Sequence, residues 1–379
     1  MKMLTTGPNY IHEFPTVKEF AEEFALGPDD LVVTIDFVRK QFLEPVLNGA
    51  SVLTVDKYGS QEPTDEMIDA IIKDASAFDY NRIIAIGGGA VMDMSKVMAV
   101  AGGDDIDSVI DHLPDYKRTV SLVLVPTTCG TGSEVTEIAA INRTRLGSKA
   151  GIASPEMFAD DAVLIPELLY GLPDHVFATS SMDALVHSVE STLSPNATPY
   201  TKLFGYQAMK MIISGYMQIA AAGPAGSPER RAKRNELMSD FLIASDYAGL
   251  SFETGGCAAV HALSYQLGGK YHVPHGESNY AMFTGVLRNY MEIKSDGEIA
   301  TMNHFIAQIL GCDDAVVYNE LEKLINQLLP KKALHEYGVT REDLPEFTHR
   351  VMTTQHRLMK NNFVPLDEKR VLKIFEELY

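Results

Sequence analysis

The sequence predicts an α/β domain with a Rossmann-like parallel sheet, followed by an all-α domain. Two observations carry this. Through the first 170 residues short, wholly apolar runs alternate with helical patterns; beyond them the runs cease and apolar residues recur at helical spacing only. Strands that are apolar on both faces belong to parallel sheets covered by helices on each side. The length, 379 residues, exceeds what one small core takes in, so a boundary is expected between a domain over 1–170 and one over 171–379.

Each element follows from its own residues. "TVKEFAEEF" opens on a capping box, Thr16 with Glu19 three residues on, and predicts a helix. "LVVTI" (31–35) is a strand ending at Asp36, and a helix-like segment runs from there to about Leu47. "SVLTV" (51–55) is the second strand. In "PTDEMIDAIIKDASAF" the residues Met67, Ile68, Ile71, Ile72 and Ala75 share a helical face, capped by Thr64. "RIIAI" (82–86) runs into "GGGAVMDMSKVMAVA", a glycine turn and a helix, and "VSLVLV" (120–125) ends at "PTTCGTGSE". In the second half helices are expected at 175–193, 199–222, 227–249, 254–268, 276–293 and 297–310, roughly eight in all.

The net charge of −19, from 32 basic and 51 acidic residues, argues against nucleic acid and anionic membrane as partners. Cys129, Cys257 and Cys312, an odd number with no CxxC, suit a reducing cytosol. The N-terminal stretch lacks the apolar core of a signal peptide and no run of 18 apolar residues is present, so a cytoplasmic location is expected.

Two glycine-rich turns follow strands. Ligands of parallel α/β sheets bind at the carboxyl ends of the strands, where a helix N-terminus offers free N–H groups to phosphates. "IGGGAVMDMSK" has that setting, with Asp93 and Lys96 on the helix, although Met92 stands where a dinucleotide fingerprint would have its third glycine. "VPTTCGTGSE" repeats the arrangement with small hydroxyls. Tight structural turns explain the same residues. Asp36 suits either a ribose hydroxyl, favouring NAD over NADP, or a helix cap.

"SSMDALVHSVE" places Asp183 and His187 on one helical face, and His261 and His275 follow in "HALSYQLGGKYHVPHGE". One carboxylate and three imidazoles can hold Fe²⁺ or Zn²⁺ with positions open for a substrate oxygen. Spacing alone leaves ordinary surface hydrogen bonding equally open.

Taken in order, "GGGAVMDMSK", "PTTCGTGSE", "MDALVHSVE" and "HALSYQLGG…VPHG" resemble the iron-containing (group III) alcohol dehydrogenase family. The resemblance implies a dehydroquinate synthase-like architecture, an NAD-binding domain and a metal-bearing helical domain, and a homo-oligomer, expected to be a dimer. It implies Asp183, His187, His261 and His275 as metal ligands. The cofactor residues would be Gly87, Gly88, Gly89, Asp93, Thr127, Thr128, Gly132 and Ser133, with Asp36 near the adenosine ribose and Lys149 reaching the cofactor. Two positions depart from the family pattern: Tyr265 stands where many members carry a histidine, and Ile165 where many carry an aspartate. The second histidine segment resembles the branch that interconverts 4-hydroxybutyrate and succinate semialdehyde. A general short-chain alcohol or 1,3-propanediol dehydrogenase is the neighbouring reading, and a dehydroquinate synthase-like lyase the one from another class. His272 is the expected proton carrier, because an imidazole as a residue type exchanges protons near neutral pH, with Tyr265 second. Arg143, Lys149 and Lys270 are the cations considered for a substrate carboxylate. Cys129 is expected to be a packing residue.

Overall fold

The computed structural model describes residues 5–59, 62–146 and 148–379, and only the backbone of 148–150. The chain forms two compact units, Thr6–Gly171 and Leu172–Tyr379, the latter taking in Thr5.

In the first unit, strands β1 (Tyr10–Glu13), β2 (Asp30–Thr34), β3 (Ser51–Thr54), β4 (Arg82–Gly87), β5 (Ser121–Pro126) and β8 (Asp161–Leu164) form one sheet in the order β1-β8-β5-β4-β2-β3. Every neighbouring pair is parallel, as the apolar runs require. Leu31, Ile83 and Leu122 lie side by side in register and are fully buried. The helices Asp65–Ala75 and Gly89–Ala101 supply Ile68, Ile71, Met94 and Val97 to the same core. Thr16 and Thr64 cap their helices, accepting from the N–H groups of Glu19 and Met67.

Three regions differ from expectation. β1 and β8 each hold only four residues; β1 is an edge strand with mostly exposed side chains and shows no apolar run, while β8 has only the short buried run Ala162–Leu164 after Asp161. Strands β6 (Ile138–Arg143) and β7 (Ser148–Ala153) form a separate antiparallel pair that sequence periodicity did not reveal. The helix expected to reach Leu47 is a single turn, Asp36–Val38, with a wider π turn to Leu43; Pro45 has no N–H with which to continue it.

The second unit contains helices alone among its described residues, eleven in number against the roughly eight expected. Its centre is Asp174–Leu193, buried on nearly every face from Phe177 onward. A helix so enclosed is ordinarily apolar throughout; this one carries Asp183, His187 and Glu190. The expected helix 227–249 is two, Pro228–Glu236 and Met238–Gly255, broken at Leu237. The expected helix 254–268 begins only at Ala259. The break has a steric cause: a Cβ on Gly255 would stand 2.8 Å from Ser191, and Gly256 has φ +77° with its Cβ position 2.4 Å from Asn361 Nδ2. None of the described helices is long and apolar enough to cross a membrane.

Candidate functional site

In the first unit the glycine turn follows β4 directly. Gly88 caps the helix Gly89–Ala101 in an extended conformation, and the first N–H groups of that helix have no acceptor within it. The turn tolerates no side chains at two of its glycines. A Cβ on Gly87 would lie 2.4 Å from Val91 Cγ2, and one on Gly89 would lie 2.8 Å from Thr131 Cγ2. The loop after β5 packs beside this turn, the N–H of Thr127 donating to the carbonyl of Gly87 at 2.9 Å, and Gly132 takes a left-handed φ of +57°. Thr128 is partly buried and lies nearest to the bare face of Gly88.

Asp93 does something the sequence did not disclose. Its carboxylate accepts from Ser133 Oγ at 2.6 Å and from the Ala140 N–H at 2.9 Å, with the buried Lys96 ammonium 3.8 Å away. It braces the glycine helix against the second loop and β6. Asp36 is half exposed and bound by both Lys40 and Arg39, the latter at 2.9 Å, whose hydrogen bonds hold its carboxyl below the usual carboxylate range. Arg143 is ion-paired with Asp107. Lys149 pairs through its backbone with Asn142, and its side chain lies outside the described residues. Cys129 is fully buried.

In the second unit, Asp183, His261 and His275 each offer a ligand atom within 4.8 Å of the others. Asp183 Oδ1 lies 3.5 Å from His261 Nε2, 3.4 Å from His275 Nε2 and 3.8 Å from His187 Nε2. Three helices bring them together: Asp174–Leu193, Ala259–Tyr271 and the start of His275–Ile293. The last packs so tightly on the first that a Cβ on Gly276 would sit 1.8 Å from the Thr179 carbonyl oxygen.

Three further residues complete the surroundings, and sequence spacing missed them. Glu190 Oε2 takes His261 Nδ1 at 2.6 Å, which fixes the ring and leaves Nε2 to face Asp183. The same carboxylate accepts the N–H groups of Ala258 and Val260. Asn279 places Nδ2 at 2.7 Å from Asp183 Oδ1, 3.2 Å from His261 Nε2 and 3.3 Å from His275 Nε2. Cys257 forms a second three-donor group with His187 and His261, again within 4.8 Å. His187 lies between the rings of Phe252 and His261, at centroid distances of 4.3 and 4.7 Å. Glu190 and Asn279 were accessible as the residues three after His187 and four after His275, one helical turn on.

Burial opposes the charge of Asp183, yet the imidazoles of His187, His275 and His261 outweigh it and hold the carboxyl well below its ordinary range. Burial likewise opposes protonation of His261, but Cys257, Glu190 and Asp183 raise its pKa. The enclosure therefore attracts positive charge. Bonds of about 2.0–2.2 Å to one ion place neighbouring donors roughly 3–3.5 Å apart, close to the separations here. The Asn279 amide nitrogen stands among three acceptors while its oxygen is buried without a hydrogen bond. The donor set fits a divalent ion.

The two candidate proton carriers separate. Tyr265, one turn after His261, has its ring 5.9 Å from that of His275 and 6.5 Å from that of His261. His272 is exposed and ends its helix with φ +54°. Lys270 is ion-paired with Asp343. Ile165 is fully buried in the first unit.

Comparison with known proteins follows the same division. Residues 8–166 match the profile "Iron-containing alcohol dehydrogenase", and residues 177–379 match "Fe-containing alcohol dehydrogenase family, C-terminal". The chain is 43% identical to 4-hydroxybutyrate dehydrogenase of Clostridium kluyveri over 379 residues, all of both chains. It is 31% identical to sulfoacetaldehyde reductase of Bilophila wadsworthia, covering 97% of this chain and 96% of that one. Among solved structures, sulfoacetaldehyde reductase from Bifidobacterium kashiwanohense in complex with NAD+ superposes with a TM-score of 0.83 and 25% identity, covering 100% of this chain and 98% of that one. The glycine turn, the carboxylate–imidazole enclosure and these matches along the whole length agree: the chain belongs to the iron-containing alcohol dehydrogenase family.

Proposed function

We propose that this alcohol dehydrogenase interconverts 4-hydroxybutyrate and succinate semialdehyde, using NAD and a divalent metal, Fe²⁺ before Zn²⁺. The observation that carries the substrate is the 43% identity over all of both chains to the Clostridium kluyveri enzyme, against 31% for the sulfoacetaldehyde reductase. In this reading Asp183, His187, His261 and His275 hold the ion, which supplies Lewis acidity toward the substrate oxygen. Nicotinamide supplies the hydride.

The chain's own groups do the rest. Glu190 keeps the His261 proton on Nδ1, so that Nε2 stays available as a ligand. Gly87, Gly88 and Gly89 let a pyrophosphate approach the helix N-terminus, with Thr127, Thr128, Gly132 and Ser133 lining the adjoining loop. Asp93 shapes this seat by bracing it, Asp36 receives the adenosine ribose, and Lys149 reaches the cofactor. Tyr265, and not His272, moves the proton to the substrate oxygen, because its ring adjoins both His261 and His275. Arg143 and Lys270 are already paired with Asp107 and Asp343, which leaves the substrate carboxylate to another cation. A cytoplasmic homodimer belongs to the same reading, with sedimentation as its check.

The substrate test is NADH oxidation with succinate semialdehyde, sulfoacetaldehyde, propanal and butanal. The expected kcat/KM for succinate semialdehyde exceeds the others by at least about tenfold, the worth of one satisfied charge-assisted contact. Equal values for propanal would overturn the assignment.

A further inference from the structure

Cys257 has no part in this chemistry, yet it stands beside two of the residues that would hold the ion. Its Sγ and one nitrogen each of His187 and His261 lie within 4.8 Å of one another. The surrounding backbone is fixed with unusual completeness. Gly255 and Gly256 break the helix immediately before it, at positions where no side chain fits. Asn361 Nδ2 donates to the Cys257 carbonyl at 2.9 Å, and Glu190 accepts the Ala258 N–H at 2.9 Å. The carboxylate that orients His261 therefore also holds the segment carrying the thiol. On the far side, His187 is stacked between Phe252 and His261, so all three donors come from restrained positions.

With Nδ1 of His261 engaged by Glu190, that ring has one nitrogen left to offer. An ion drawing on Cys257 must compete for it, and for His187, with an ion drawing on Asp183 and His275. The two groups also differ in chemistry. A carboxylate with imidazoles suits ferrous and other hard or borderline ions, whereas a thiolate with imidazoles favours thiophilic ones.

We propose that Cys257 is a metal ligand: together with His187 and His261 it forms a seat for a thiophilic ion such as Zn²⁺, alternative to the seat at Asp183, His187, His261 and His275, with which it shares both histidines. On binding, the thiol proton passes to solvent and the sulfur coordinates as thiolate. Zinc held there takes His261 away from the oxygen-bearing seat and leaves Asp183 and His275 unligated. The metal loaded by the cell, and not the fold alone, then decides which geometry the centre adopts. The proposal rests on the metal-site reading given under the proposed function.

X-ray absorption of the full-length protein loaded with one equivalent of Zn²⁺ tests it. The expected spectrum contains one sulfur scatterer at about 2.3 Å. Cys257→Ser and Cys257→Ala should each lose that scatterer and lower the preference for zinc over iron by at least about tenfold, while Cys312→Ser retains both. Zinc bound by the wild-type protein through nitrogen and oxygen only would overturn the proposal and leave the metal site standing. Failure of the wild-type protein to bind either zinc or iron would instead overturn the metal-site reading itself. Should neither Cys257 variant fold, the wild-type spectrum still decides.

Discussion

The two units build their candidate sites from opposite materials. Around Gly87–Gly89 the working surface is backbone: a bare turn, the N-terminus of a helix, and a loop whose Ser133 donates to Asp93 on that helix. Around Asp183 the working surface is side chain: donors on three helices, each held by a buried partner such as Glu190 or Asn279. The first arrangement is sensitive to an added Cβ, since at Gly87 and Gly89 even a methyl meets a neighbouring side chain. The second reverses this, because a missing donor cannot be replaced by backbone inside a packed helix.

The largest expected effect therefore belongs to a ligand. His261→Ala should reduce metal affinity by more than about 100-fold, beyond the 10–100-fold typical of outer partners, and turnover should fall with it. Metal analysis and NADH oxidation on the same preparation check this; an active, metal-replete variant would break the comparison at its strongest point. Tyr265→Phe comes next, with kcat down about 100-fold at unchanged metal content, the range for a lost proton donor. His272→Ala should leave both quantities unchanged, since its exposed position at a helix end adjoins none of the donors. A slower His272→Ala with an unimpaired Tyr265→Phe would transfer the role back.

Glu190→Gln tests the support instead of the ligand. The amide has one acceptor oxygen where the carboxylate has two, so it keeps only one of the N–H groups of Ala258 and Val260, and it no longer draws the His261 proton onto Nδ1. Metal affinity should fall about 10–100-fold, with a loss of roughly 1–3 kcal/mol of stability from the N–H left unpaired. Gly89→Ala is its counterpart in the other unit. The new methyl must displace Thr131, and NADH should bind about tenfold more weakly while metal content stays the same.

How much of this could be read from the chain alone differs between the units for the same reason. The parallel strands and the glycine turns were legible, because backbone requirements select glycine and apolar runs locally. β1 was not, since an exposed edge strand needs no apolar run, nor was the β6–β7 pair. In the helical unit Asp183, His187, His261 and His275 were noticeable as residue types. The partition of His187 toward Cys257 was not, because it depends on where the helix breaks at Gly256 and how two imidazole rings stack. The family resemblance implies Asp93 as a cofactor residue; that its carboxylate accepts from Ser133 and Ala140 is not legible locally, because both are more than thirty residues away.

Asp36 lies at the weaker end of the scale, and it sharpens the comparison most finely. It is the acidic side chain the proposed function asks to recognise the cofactor, just past the end of a strand and not on a backbone turn. Arg39 and Lys40 both bind its carboxylate, so the acid is held in place by the very cations that a 2′-phosphate would seek. Asp36→Gly removes the repulsive group and releases the two cations together. The preference for NADH over NADPH should fall by about tenfold, mainly through the KM for NADPH, while metal content and kcat with NADH change little. Adding Arg39→Ala to that variant should restore part of the preference, because the phosphate then loses its bidentate partner. Unchanged discrimination in Asp36→Gly would reduce Asp36 to a residue of the helix start, and the first unit would then read its ligand through backbone alone.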